Sequence, residues 1–582
     1  MANVSTWRSV LHVGGYAAAR DGGAACYRRV LSEPNHAGKV QSQDGAWWEI
    51  IGDVVTPQMF GAKADGLADD TPSIQAAIDR GGRYIYLPEG IYIHTHIELG
   101  EGQTLFGAGM YGKSILKLKD GAADLFSAVG LRGLTAKSGI TECTFRDFEY
   151  DGNTEKNRDW GSGSTRWSKD EYDLIYTQGI YFGTLGNRVP PLRAFLENIY
   201  IHDTVRSSIV WGSTKIFGKN WHLANSDADH LIYESGFTGS DITDVVLEGF
   251  SRNGYIVCDE GIQLKNLTFR NLSGNPTAYD GQLLIGTRNS GKNPAALISN
   301  VTVHKLDPDV LRGSGTLAIV FQFLGSVILS GFTYIGGNTA HKTSIAIFSW
   351  NKHLGSDQHY EIYHVSASNL GSRTQLVQVD SVAAPIRDLL LKSITLSFAE
   401  KMAVADQFLV NLQGSIEGLT IDGLSISGRG TNNFALAAPN RIVTDVKFKR
   451  VFMESCKGWV LTKGGSGHIA FEQCDFQGPE VKGLTSDGST DNVFTSNVRI
   501  GNAPRMSSGK SIQSGNGVST TFQIPHGLNI APKSFKITPI GAAGMAKHKT
   551  TANSTNLVIT FDAAPPEGNA NLVFIWVAKG PI

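Results

Sequence analysis

Between residues 140 and 480 the chain weakly repeats itself, and that repeat leaves few folds open. Short apolar–polar alternations recur as ECTFRDFEYDG (142–152), LENIYIHDT (196–204), GKNWHLANS (218–226), ITDVVLEGF (242–250), LKNLTFRNL (264–272) and ISNVTVHKL (298–306). Later copies read LSGFTYIGG (329–337), LKSITLSF (391–398), EGLTIDGLSIS (417–427) and VTDVKFKRVF (443–452). Aligned on Asn198, Asn220, Asp244, Asn266 and Asn300, the spacings are 22, 24, 22 and 34. One alternating strand and one Asn/Asp/Gly turn per unit of about 20–35 residues is the signature of a parallel β-solenoid. Each coil buries one face against its neighbours, and Asn at a shared turn can stack into a ladder of side-chain hydrogen bonds. A row of β-sandwiches would instead show hairpin turns every ~8–12 residues, and these are sparse.

Composition narrows the partners. The net charge is −1 over 582 residues, with pI near 7.0, so there is no basic footprint for nucleic acid. With 10 Trp, 17 Tyr and 27 Phe, the chain can fill a large core and is not disordered. The cysteines Cys26, Cys143, Cys258, Cys456 and Cys474 are odd in number and never in C-x-x-C spacing, so buried free thiols are expected. No apolar run has signal-peptide or membrane-spanning length, which predicts synthesis in a cytoplasm without membrane insertion.

The two ends differ in texture from the solenoid. Residues 1–52 carry Gly14-Gly15, Gly22-Gly23, Arg28-Arg29 and Trp47-Trp48; about 50 residues make a marginal unit that needs support from copies or a partner. Residues 53–505 are expected to hold the solenoid. At its start, Asp69-Asp70-Thr71-Pro72 predicts a helix over about 71–80 with Thr71 as N-cap and Pro72 at the first helical position. Ile74, Ala77 and Ile78 give it an apolar face, and Gly81-Gly82 stop it. Residues 506–582 contain about six alternating strands separated by Gly, Pro and Asn turns, which predicts a small antiparallel β-sandwich.

Residues 53–94 resemble the opening of the pectate-lyase-like superfamily of right-handed β-helices. The resemblance rests on Phe60-Gly61-Ala62-Lys63, Asp65-Gly66, Asp69-Asp70-Thr71, Ile74-Gln75-Ala76-Ala77-Ile78 and LPEGIY (87–92). It implies that the helix caps the solenoid's N-terminal end, and it leaves the chemistry open among lyases, hydrolases, epimerases and binders. Residues 14–50 look like the virion-attachment segment of bacteriophage tailspikes. FQIPHGL (522–528), FKITP (535–539) and VFIWVAKG (573–580) resemble a C-terminal β-domain of phage tail proteins. Together these imply a tailspike depolymerase: a homotrimer on the virion tail, attached to a tail or baseplate protein through residues 1–52, with a bacterial surface polysaccharide as substrate. The C-terminal sandwich would serve trimerisation or glycan contact.

Several motifs bear on chemistry. GAGMYGKS (107–114) fits the G-x-x-x-x-G-K-S phosphate loop, but that loop needs a helix after it and ILKLKDG (115–121) alternates like a strand, so nucleotide binding is not expected. NSDADHLIYES (225–235) is the densest acidic stretch beside aromatics. In an extended chain Asp227 and Asp229 share one face about 6.5–7 Å apart, a separation that suits inverting glycoside hydrolysis. Glu234 and the pair Asp259-Glu260 are alternates. Asn225-Ser226-Asp227 loosely resembles the N-T-D of polygalacturonase-type hydrolases, with Ser for Thr. The same aspartates would serve equally as polar turn residues. As calcium ligands they lack the glycine and glutamate of an EF-type loop, since His230 and Gly236 stand there. No metal or cofactor is expected.

Sugar C–H faces pack on aromatic rings. Trp211, Trp221, Tyr233 and Tyr255 bracket the acidic stretch with His230, and Trp160 and Trp167 lie in a polar insertion at 151–176; these are the candidate substrate-binding residues. No G-x-S-x-G or H-E-x-x-H occurs. The leading expectation is endo-glycoside hydrolysis by Asp227 and Asp229. The alternative is a polysaccharide lyase, with His222, His230, Arg252 or Lys265 supplying base and cation, and a non-enzymatic adhesin is the third reading.

Overall fold

The computed structural model describes residues 7–122, 132–157, 177–182, 189–204, 207–226, 229–233, 240–250, 252–257, 262–273, 282–286, 295–304, 318–322, 326–335, 344–351, 359–370, 373–379, 386–398, 407–412, 416–427, 433–438, 443–454, 458–462, 466–477, 492–496, 499–500, 503–504, 506–528, 530–540 and 545–580. It divides into two compact units, Met1–Ser326 and Val327–Ile582. The protein is a right-handed parallel β-helix, the hand that parallel crossovers almost always take.

In the first unit, strands Val10–Val13, Ala25–Val30, Trp47–Ile50 and Lys39–Gln41 pair antiparallel in that spatial order. Trp48 is fully buried there and its Nε1 donates to Ser42 Oγ at 2.9 Å. This small sheet finds support within its own chain. Arg80, which ends the capping helix, donates to the Gly52 and Ile50 carbonyls at 2.9 and 3.0 Å. The helix runs Thr71–Asp79, one residue off the expectation: Asp70 is the N-cap and Thr71 is already helical. Asp70 does not cap with its side chain; its carboxylate accepts from the Lys63 and Ala64 amides instead. Ile74, Ala77 and Ile78 are buried, and Gly81 takes a left-handed φ of 86° past the helix end.

Two parallel sheets then alternate along the chain. The first stacks Glu142–Asp151, Arg193–His202, Lys215–Ala224, Ser240–Phe250, Ile262–Ser273 and Ala295–His304; the second stacks Arg132–Ala136, Thr177–Phe182, Ser207–Trp211, Asp229–Tyr233, Arg252–Val257, Gln282–Gly286 and Ala318–Gln322. Each strand of the first sheet bends at a left-handed Asn or Asp: Asp147, Asn198, Asn220, Asp244, Asn266 or Asn300, with φ between 50° and 60°. Asn and Asp tolerate that backbone better than other L-residues. The expected ladder is present: Asn198 donates to Asp147, Asn220 to Asn198, Asn266 to Asp244 and Asn300 to Asn266, at 2.8–3.0 Å. The residue after each bend points inward, so Ile199, Trp221, Val245, Leu267 and Val301 stack in the core.

The second unit repeats the two-sheet pattern through His359–Leu370, Ile386–Phe398, Ile416–Ser427 and Val443–Met453, against Arg373–Val379, Gln407–Leu412, Asn433–Ala438 and Gly458–Thr462. Here one row of bends falls on His364, Ser393, Gly423 and Arg450 instead of Asn, and a second left-handed row runs through Asp388, Gly418 and Asp445. It ends in two three-stranded antiparallel sheets, Met506–Gly515, Gly568–Lys579 and Ser534–Ile540, and Thr521–Pro525, Asn556–Phe561 and His548–Ala552. Their shared core includes Leu528, Leu557, Ile559, Leu572 and Phe574, all fully buried. Cys143 and Cys474 are buried free thiols as expected, Cys26 is only half-buried, and Cys258 and Cys456 lie outside the described residues.

Candidate active site

The bend splits each strand of the first sheet into two short runs, and the outward side chains of the second run form two adjacent rows. Register places Glu149, Tyr200, His222, Val246 and Thr268 in one row; Asp151, His202, Ala224, Glu248 and Arg270 fill the other. Neighbouring members of a row are one strand spacing apart, about 4.8 Å. Ala224 leaves room between His202 and Glu248, so the His222 ring reaches diagonally across it: Nε2 lies 2.9 Å from Glu248 Oε2. Arg270 Nη1 stands 3.8 Å from the same oxygen.

Tyr111 hangs over this ladder from the turn between Thr104–Gly107 and Ser114–Leu118. Its hydroxyl is 3.2 Å from His222 Nδ1, and its ring packs on Tyr200 at 5.1 Å. Tyr200 itself stacks between His202 and His222, each at 4.6 Å between ring centres. Tyr111 is 61% exposed; His222 is largely covered. The solvent-facing group of the relay Tyr111–His222–Glu248 is therefore the phenol.

The two histidines are in opposite states. Burial works against charge on His202, but Asp203 Oδ2 at 2.7 Å and Glu149 Oε1 at 3.2 Å outweigh it and hold the imidazolium up to about 9. The bond to His202 holds Asp203 below the usual carboxylate range. Glu149 is also held low, its burial outweighed by His202 and the Gly112 amide. Burial holds His222 below its ordinary value despite Glu248, with Arg270 and His202 adding to the effect. A neutral His222 donates from Nε2 to Glu248 and accepts the Tyr111 hydroxyl at Nδ1, the tautomer this network assigns. Burial and then Glu149 push the Tyr200 phenol up to about 12, so it stays protonated.

Among the described residues, Asp151, His202 and Asp203 bring ligand atoms within 4.8 Å of one another. Both His202 nitrogens already face carboxylates, and Lys117 Nζ lies 2.8 Å from Asp151. The group is thus a satisfied ion-pair cluster.

The residues expected from the sequence fare unevenly. Trp211 and Trp221 are 1% and 0% exposed, so neither offers a ring face to a sugar. The cause for Trp221 is phase: it follows the bend at Asn220 and turns inward, its Nε1 donating to the Leu196 carbonyl at 2.8 Å. Asn225 takes a left-handed φ of 51° and Ser226 is fully buried, so two members of the N-S-D triplet are turn and core residues. Asp229, His230 and Tyr233 lie on the strand Asp229–Tyr233, with Arg252 and Tyr255 on the next strand; both belong to the second sheet, away from the sheet of His222. Their side chains are outside the described set, as are residues Asp227, Glu234, Asp259, Glu260, Trp160 and Trp167. Lys265 is exposed before its bend, near Asp241 at 3.7 Å, and takes no part in the cluster. His222 alone of the named candidates sits in it. GAGMYGKS is followed by a strand, as expected, and contributes Tyr111.

Residues 56–147 match the family model "Rhamnogalacturonase A/epimerase, pectate lyase-like". Among curated relatives, Alginate lyase 7 of Azotobacter vinelandii is 45% identical over 74 residues, 11% of this chain and 8% of the relative. Mannuronan C5-epimerase AlgE4 of the same organism is 37% identical over 112 residues, 16% of this chain and 19% of its own length. The capsule KN3-specific Depolymerase 1 of Klebsiella phage KN3-1 is 31% identical over 104 residues, 16% and 13% of the two chains. The chain therefore spans less than a fifth of the length of each of these relatives. Among solved structures, the enzymatically active domain of bacteriophage CBA120 tailspike protein 2 aligns over 99% of this chain and 78% of its own, at 12% identity and a TM-score of 0.32. The stretch that matches the pectate-lyase-like family model, residues 56–147, runs from the cap to the first long strand and carries Tyr111.

Proposed function

We propose that this chain is a polysaccharide depolymerase of a phage tail, acting on an acidic bacterial surface glycan by proton abstraction beside a uronate carboxylate. The observation that carries the reading is the Tyr111–His222–Glu248 relay on an open sheet face with Arg270 beside it. β-Elimination needs a base for the C5 proton, a cation for the carboxylate and a proton for the leaving oxygen. His222 is a neutral acceptor, Tyr111 the phenol that passes protons between it and the sugar, and Arg270 the cation. The C5–H electrons form the C4=C5 bond, the C4–O bond breaks, and the proton returns to the departing oxygen. Hydrolysis would instead want a carboxyl kept protonated opposite an ionised one. In this cluster Glu149 and Asp203 are both held ionised.

The relatives support the substrate class and the setting. An alginate lyase, a mannuronan epimerase and a phage capsule depolymerase each match a short part of this chain. On this reading the protein works at the virion tail, as a homotrimer attached through residues 1–52. The test incubates the purified chain with a panel of bacterial capsular polysaccharides, with and without uronic acid, following reducing ends and absorbance near 235 nm. Both signals together on a uronate glycan support elimination. Reducing ends alone would return the chemistry to hydrolysis and to Asp227 and Asp229. Deuterium entering C5 without either signal would mean epimerisation, and binding without any reaction an adhesin.

A further inference from the structure

The turn GAGMYGKS (107–114) has the backbone of an anion site although no nucleotide-binding helix follows it. Gly109, Tyr111 and Gly112 take φ values of 146°, 56° and 85°, a run that turns successive amides toward one point. That point is occupied by the protein itself. The Gly112 amide donates to Glu149 Oε2 at 2.7 Å, and the Tyr111 amide helps keep the same carboxylate ionised. Glu149 is 8% exposed, and its Oε1 faces His202 Nε2 at 3.2 Å.

We propose that Glu149 is a positioning residue whose carboxylate fills this nest and thereby sets the Tyr111 phenol over His222. The inference rests on the reading that Tyr111 and His222 move the proton. Tyr111 needs such a device: an exposed ring on a left-handed backbone has little packing to fix it, and a bulky L-residue resists that conformation. Its ring contact with Tyr200 and its hydroxyl contact with His222 are both downstream of where the turn is pinned. The strand Glu142–Asp151 pins it, because Glu149 stands in the same row as Tyr200 and His222, one and two coils before them. The phosphate-loop-like spelling thus has a physical meaning without a phosphate.

The test compares full-length wild type with Glu149→Gln and Glu149→Ala. Gln keeps the shape of Glu and loses its charge. Hydrogen–deuterium exchange of the segment 107–114 reads the nest directly: both variants should exchange the Tyr111 and Gly112 amides at least tenfold faster, with the strand Ser114–Leu118 unchanged. Unchanged exchange in both variants would overturn the proposal, whatever the enzyme turns out to do. On a uronate glycan that the wild type cleaves, kcat should fall ten- to hundredfold with KM within about twofold. Formate or acetate should recover part of the Glu149→Ala loss in a saturable way. Rescue persisting in Tyr111→Phe/Glu149→Ala would refute action through Tyr111, as would equal losses in kcat and 1/KM. Wild type inactive on every uronate glycan while Glu149→Gln loosens the segment would sink the assigned chemistry and leave the nest standing.

Discussion

His94 offers a quantitative test of how dry the solenoid interior is near the cap. Its side chain is fully buried, edge-on to Tyr150 at 5.4 Å, and neither ring nitrogen has a hydrogen-bond partner among the described residues. Burial drives its pKa down to about 3, whereas an unfolded histidine titrates near ~6.5. Because the folded value is depressed, the unfolded state takes up the proton first. Stability is therefore full above about pH 6.5 and falls by about 1.4 kcal/mol per unit as pH drops toward 3. At pH 5 the accumulated loss is about 2 kcal/mol. His94→Leu removes the titration while keeping an apolar side chain beside Leu118. Any packing change in the variant is the same at both pH values and cancels in the comparison. Chemical denaturation of both proteins at pH 8 and pH 5 should show the variant gaining about 2 kcal/mol on wild type at the lower pH. Hydrogen exchange of the strands Gly90–His94 and Ser114–Leu118 gives the local check. An identical difference at the two pH values would refute the argument, because His94 would then protonate as easily inside as outside.

Other outcomes follow from the same geometry. Tyr111→Phe and His222→Gln should each lower kcat by about 10²–10⁴-fold on a cleaved uronate glycan, and a loss under twofold would remove the pair from the chemistry. With His222 held below its ordinary value, the acid limb of kcat/KM should lie below about pH 6.5, and His222→Gln should abolish that limb. Asn220→Ala should cost about 2 kcal/mol, about half of it left-handed strain and half the lost ladder bond, and Asn220→Gly only the bond's share of about 1; equal costs would show that the backbone strain is negligible. Gly218→Ala would put a Cβ 2.3 Å from the Trp221 ring and should destabilise by about 1–3 kcal/mol, with KM unchanged in whatever enzyme still folds.

The solenoid was legible because the period of its first unit is written in residues that the backbone itself demands: a left-handed bend in each strand of one sheet, met by Asn or Asp. The site was legible only in part, and the reason is phase. Sequence proximity drew Trp221 toward the acidic stretch, but one step past the bend points inward and the next points out. Counting two and four residues beyond Asn198, Asn220, Asp244 and Asn266 gives Tyr200, His202, His222, Ala224, Val246, Glu248, Thr268 and Arg270, which include five members of the cluster. The spacing that marks the repeat also decides which side chains are neighbours in register, and register, not proximity in sequence, brings the cluster together. Tyr111 and Glu149 were harder. Tyr111 enters from a turn whose spelling suggested a different ligand, and Glu149 precedes the aligned copies.

The spacing of 34 between Asn266 and Asn300 is 12 longer than the spacing of 22 between Asp244 and Asn266, yet the strands Ile262–Ser273 and Ala295–His304 pair residue for residue like the others. Chain length and height along the axis are therefore uncoupled. A coil can gain a dozen residues without changing the register of the groups on the ladder. Such a scaffold works like a printed page with fixed line spacing and ragged margins: loops can be rewritten to suit a new ligand while the vertical distances between groups on the ladder stay as they were.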